Sequence, residues 1–175
     1  MRCYVDLHIH SCLSPCGDEL MTPNNIVNMA RIKGLHIIAV SDHNTARQLP
    51  AIRKVADAAG LALLPALELT TREEVHLLAY LPDVERALAL SEQIYPHLPN
   101  IANKPELFGA QLLLGARDEV LGVEDKLLIS ALDLSIDRLT DIITGLLTLA
   151  KTDSETEALI INKILLSELV HKSVT

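Results

Sequence analysis

His8 and His10 end the first apolar run of this chain, His43 follows the second within Ser41-Asp42-His43-Asn44, Glu68 follows the third, and His76 lies in the fourth. Imidazole and carboxylate groups are the donors that hold zinc, manganese or iron. In an extended strand the side chains alternate, so His8 and His10 at i and i+2 face the same way and can share one ion. Asp6 sits a further two residues back and faces that side too, where it is expected to orient an imidazole. Taken singly, each residue has a plain alternative: a histidine at a strand end often only bonds a carbonyl, and a carboxylate after a strand is usually solvated. Glu68 is set between Leu67 and Leu69, and a carboxylate in an apolar frame beside imidazoles needs a cation to offset its desolvation.

The elements that must carry these residues are legible in outline. Arg2–His8, Leu35–Val40 and Leu61–Leu64 are apolar and suit buried strands. Thr22-Pro23 reads as the cap and first position of a helix stopped by Gly34, and Asn44 or Thr45 is expected to cap a second helix running through Ala59 to its terminator Gly60. Strand and helix alternating at this spacing imply a parallel sheet with right-handed crossovers, in which function gathers at the C-terminal ends of the strands. An α/β barrel, or part of one, is the expected architecture. From Asp83 onward the pattern predicts helices over Val84–Tyr95, Lys104–Leu114, Val123–Leu132, Ile136–Ala150 and Asp153–Lys172.

The order His-x-His, Ser-Asp-His-Asn, Glu, His resembles that of the PHP family, the polymerase and histidinol phosphatase proteins, which are metal-dependent phosphoesterases. The resemblance is dense from Tyr4 to Tyr80 and looser to about Leu139. It implies one PHP-like domain over residues 1–175, with a motif-bearing β/α part at 1–80 and a mainly helical part at 81–175. The fold expected is a partial or truncated PHP-type (β/α) barrel with a parallel sheet and a helical C-terminal half. It also implies that His8, His10, Asp18, His43, Glu68 and His76 are metal ligands, with Glu68 bridging two ions and with His8, His10, His43 and Glu68 carrying the catalysis. Glu19 competes with Asp18 for the loop ligand, and Asp42 is expected to support the site or cap a helix. The family divides its ligands among three ions. Its late ligands, a histidine at a Pro-Ala-His-like strand end and an Asp-x-His pair, have no counterpart in Thr140–Thr175, so fewer ions are expected here.

The reaction class implied is hydrolysis of phosphate esters, such as phosphomonoesters or nucleotides, by metal-activated water. The alternatives are a non-catalytic metal-binding scaffold that kept the early ligands, or a shortened enzyme with reduced activity. A formal charge of −8, no Trp, one Phe and three Tyr exclude an extended nucleic-acid track, because phosphate backbone attracts basic surface and single strands need stacking platforms. No membrane span or signal segment is read, and a cytoplasmic setting is the default expectation. Cys3, Cys12 and Cys16 cannot all pair within one chain and are expected to be reduced thiols; Cys16 is near enough to His10 in sequence to approach the metals without being a regular ligand. Four parallel strands would leave a sheet edge open. Helices at Ile136–Ala150 and Leu159–Val170 are the available cover, and a two-fold homodimer is the simplest closed solution if they reach a partner.

Overall fold

The computed structural model describes residues 2–153, with side chains through residue 148. β1 (Val5–Ile9), β2 (Ile37–Val40) and β3 (Ala62–Leu63) form a parallel sheet in that order. Two crossover helices join them, α1 (Pro23–Ile32) and α2 (Leu49–Ala59). Thr22 caps α1, its side chain accepting from the Asn25 N–H, and Pro23 takes the first helical position where no N–H is needed. Gly60, at φ +67°, closes α2 in the left-handed conformation that a helix C-terminus favours. Ile26, Val27 and Ala30 from α1 and Leu49, Ile52 and Ala56 from α2 are buried in one core with Ile38, Val40 and Leu67.

The fourth parallel strand expected from the sequence is instead half of a hairpin. β4 (Ala66–Thr70) pairs antiparallel with β5 (His76–Tyr80), Glu68 lying opposite Leu78 and Thr70 opposite His76. Only β4 continues the parallel arrangement, through a bridge between His43 and Glu68 in which the Glu68 N–H donates to the Asp42 carbonyl and the Asn44 N–H to that of Glu68. The five residues between β4 and β5 are too few for a crossover helix, so the chain has to reverse directly.

The C-terminal half departs further from the helical expectation. Helix α3 (Val84–Ile94) is present, capped by Asp83, and α5 (Ile136–Asp153) begins after Ser135, whose hydroxyl accepts from the Arg138 N–H. Lys104–Leu114, however, yields only the single turn α4 (Pro105–Phe108), ended by Gly109 at φ +73°, and then β6 (Leu112–Leu114). β6 pairs antiparallel with β7 (Val120–Val123), and no helix follows over 123–132. Gln111 explains this locally: its amide donates to the carbonyls of Glu124 and Lys126 and accepts from the Leu128 N–H, so the 124–128 backbone is extended along a side chain instead of bonding to itself. Of the remaining expectations, a helix over Asp153–Lys172, and with it the Leu159–Val170 cover, lies outside the described residues. No helix among the described residues is long and apolar enough to cross a membrane.

Asn44 joins the two halves. The sequence points to it or Thr45 as a helix cap, but α2 starts only at Leu49, and Asn44 is buried at φ +52°. Its amide nitrogen donates to the carbonyls of Leu128 and Ser130, and its oxygen accepts from the Thr70 N–H. Asn tolerates the left-handed region better than other non-glycine residues, and a side chain committed to three backbone groups is not free to cap. Asn44→Ala is therefore expected to destabilise the fold by about 2–4 kcal/mol, through buried backbone groups left unpaired and a strained φ. Asn44→Gly relieves the strain alone and should be less damaging by about 1 kcal/mol, as read from urea unfolding midpoints of the two variants.

Candidate metal centre

Glu68 is the hub of the site. Its side chain is 3% exposed, yet its carboxylate lies against four imidazoles. His8 Nε2 and His10 Nε2 are each 3.0 Å from Oε2, His43 Nε2 is 3.7 Å from the same oxygen, and His76 Nδ1 is 2.8 Å from Oε1. His8 Nε2 and His10 Nε2 are 3.1 Å apart, which completes a triangle of donor atoms with Oε2. Those edges approach the ~3.3 Å separation of ligands around a tetrahedral ion with bonds of about 2.0–2.1 Å.

Each ring is brought there by a distinct feature of the chain. The register of β1 against β2 slips between Asp6 and Ile9, a bulge that re-aims the side chains at the strand end. His10 lies just past that end and approaches the Ser14 hydroxyl through Nδ1 at 3.2 Å. His43 follows β2, stacks on His10 with ring centroids 4.7 Å apart, and is 3% exposed. His76 opens β5 diagonally across the hairpin from Glu68, on the same face of the two-stranded sheet.

Beneath the rings, Asp42 anchors the loop that carries His10. Its buried carboxylate accepts from the Ser11 N–H at 2.7 Å, the Ser11 hydroxyl at 2.6 Å and the Ser14 hydroxyl at 2.8 Å. Burial pushes its pKa up, with the Ser11 and Ser14 bonds opposing that shift. Ser14 thus links Asp42 to His10. Asp6 acts differently from the sequence expectation, accepting from the backbone N–H of His8 instead of meeting an imidazole.

The structure brings His8, His10, His43, Glu68 and His76 together and leaves Asp18 outside. Asp18 is exposed and folds its carboxylate onto the Leu20 N–H in a local turn, a common use of a loop aspartate. Cys16 stands nearer: its sulfur and a ring nitrogen each from His10 and His43 all lie within 4.8 Å of one another. Two other such groups are His8 with His10 and Glu68, and His43 with Glu68 and His76. The signal for Cys16 was present in its nearness to His10 in sequence, but spacing alone cannot tell which loop residue turns inward.

The electrostatics suit cations. Burial by itself would raise the Glu68 pKa, but the bonds to His10 and His8, the His43 charge and the His76 bond hold it far below the usual carboxylate range. Burial likewise works against a charged His10, yet bonds to Cys16 and Glu68 and the charges of Cys16 and Asp42 carry its pKa up to about 10. For His43 burial dominates over the attraction of Glu68, and with the charges of His10, His76 and His8 it brings the pKa down to about 4. His43 Nδ1 is buried without a hydrogen-bond partner among the described residues. An anionic carboxylate, clustered imidazole nitrogens and an unpaired buried ring nitrogen form a donor set that fits a borderline divalent ion such as zinc, manganese or iron.

The PHP domain model matches residues 6–160. The chain belongs to the PHP family. An uncharacterized protein of Methanocaldococcus jannaschii is 32% identical over 98 residues, which are 51% of this chain and 57% of that protein. A Salmonella typhimurium protein named 5'-3' exoribonuclease Rnm is 33% identical over 84 residues, 45% of this chain and 28% of its own length. In structure, the lesion-specific endonuclease PfuEndoQ from Pyrococcus furiosus aligns with a TM-score of 0.52 at 19% identity, covering 81% of this chain and 32% of that one, a likeness of fold.

These shifts set the pH dependence of the metal-free protein. A folded His10 pKa raised from 6.5 to about 10 contributes stability that is complete below 6.5 and is lost as pH rises through about 10. A folded His43 pKa lowered to about 4 contributes stability present above 6.5 and lost as pH falls through about 4. A metal ion competes with the proton on His10, so apparent zinc affinity should climb by up to about tenfold per pH unit from neutrality towards pH 9, with proton release. Calorimetry in buffers of different ionisation enthalpy checks both; a pH-independent affinity would contradict the assignment.

Proposed function

We propose that this protein is a metal-dependent phosphoesterase whose centre is held by His8, His10 and Glu68, with Glu68 shared towards His43 and His76. The observation that carries the reading is a buried carboxylate in the β4–β5 hairpin that meets four imidazoles, from the ends of β1 and β2 and the start of β5, in a chain of the PHP family. Divalent ions held by His8, His10 and Glu68 would supply polarisation of a phosphoryl oxygen and a water acidified towards neutrality. The chain's own contribution is to fix the donors. Glu68 supplies the negative charge, the Asp42–Ser14 pair orients His10, and the stack of His43 on His10 limits ring rotation. His8 and His76, with side chains 36% and 38% exposed, form the open side from which a phosphate ester enters.

Phosphomonoesters, nucleotides and the phosphorylated ends of short oligonucleotides are the substrate classes proposed, the last supported by the likeness to the Salmonella exoribonuclease. The three-stranded sheet with its hairpin is, in this reading, part of a PHP-type barrel. The alternative reading is a metal-binding scaffold without turnover.

Zinc- or manganese-loaded protein should hydrolyse at least one of these substrate classes and lose activity on chelation. His10→Ala and His43→Ala should each lower kcat/KM by at least about 100-fold, or about 2.7 kcal/mol. Protein shown by elemental analysis to carry metal, yet silent on all three classes, would establish the scaffold reading instead.

A further inference from the structure

Cys16 is held at the metal centre by a loop built for that placement. The Ser14 N–H donates to the Ser11 carbonyl and the Gly17 N–H to that of Ser14, so the chain turns twice within seven residues. Gly17 is required there because an added Cβ would overlap the Ser11 carbonyl. Asp42 fixes the inner side of the same loop through Ser11 and Ser14. The other two cysteines are placed differently: Cys12 is buried against the Leu112 carbonyl at 3.6 Å, and Cys3 is exposed before β1.

An independent observation comes from His43, which shares the group with Cys16. Its side chain is 3% exposed and its Nδ1 has no hydrogen-bond partner among the described residues. A buried ring nitrogen left without a proton donor or an ion is costly. Cys16 itself is exposed on its other side, which gives an ion access.

We propose that Cys16 is a metal ligand, forming with His43 a sulfur-bearing position beside the His8–His10–Glu68 group that takes zinc or iron(II) in preference to magnesium or manganese. On binding, the Cys16 S–H bond breaks, its proton passes to solvent, and the sulfur electron pair forms the bond to the ion. Thiolate donors favour these softer ions, whereas carboxylate and water suit magnesium and manganese. The proposal rests on the reading of this region as a metal centre and adds to it the place of sulfur.

Cobalt(II), a spectroscopic substitute for zinc, tests it on the full chain. Wild type and a Cys3→Ser control should show a sulfur-to-cobalt charge-transfer band in the near ultraviolet, and Cys16→Ser should lack it while keeping the visible bands of cobalt held by nitrogen and oxygen. Zinc should also slow alkylation of Cys16 by iodoacetamide at least about tenfold, as located by peptide mass mapping. Visible cobalt bands without charge transfer in wild type, a charge-transfer band that survives in Cys16→Ser, or Cys16 alkylation unaffected by zinc would overturn the thiolate ligand and leave the centre at His8, His10 and Glu68 intact. Absence of cobalt bands of either kind, with no metal found by elemental analysis, would overturn both. Circular dichroism of Cys16→Ser confirms that lost absorbance does not come from unfolding.

Discussion

A carboxylate almost removed from water must be balanced by positive charge, and Glu68 imposes that requirement on everything around it. Four histidines from three strands converge on its two oxygens. Without metal, protonated imidazole is the available balancing charge, and against the cost of burial His10 holds its proton far above the ordinary range through its bonds to Cys16 and Glu68. Burial, outweighing the pull of Glu68, keeps His43 neutral, and the charges of the other imidazoles act in the same direction. A divalent ion would resolve the conflict better than protons can, since it would supply more charge in one place and let every imidazole remain neutral.

The fold serves this balance by bringing short, different backbone devices to one end of a small sheet. A bulge re-aims the end of β1, the parallel bridge between His43 and Glu68 sets β4 beside the continuation of β2, and a hairpin returns His76 to the same carboxylate. Asn44 and Asp42 hold these pieces by satisfying backbone and hydroxyl groups that would otherwise be buried unpaired. Both residues flank His43, so the segment 42–44 is at once a ligand-bearing and a structural unit.

Much of this was legible in the sequence. The first two crossovers follow from Thr22-Pro23, Gly34 and Gly60, whose effects are local, and His8, His10, His43, Glu68 and His76 announce themselves by falling at strand ends in a fixed order. The hairpin at 66–80 was less accessible because an apolar strand reads alike in parallel and antiparallel pairing. The segment 104–132 reads as helical because Leu112-Leu113-Leu114 is too short for periodicity to separate strand from helix, and the deciding interactions of Gln111 reach across 13 to 17 residues. That Cys16 and not Asp18 turns towards the imidazoles was hidden for a related reason: the doubly turned loop from Ser11 to Gly17 depends on Asp42, about thirty residues away in the chain.

Replacement of the hydrogen bonds between Glu68 and the imidazoles by an ion is tested directly by crystallography at the zinc absorption edge. Crystals of zinc-loaded protein should give an anomalous peak between His8 Nε2, His10 Nε2 and Glu68 Oε2, each at about 2.0–2.2 Å from the ion. Zinc found only at scattered surface residues, with Glu68 still hydrogen-bonded to His8 and His10 and no anomalous density between them, would contradict it.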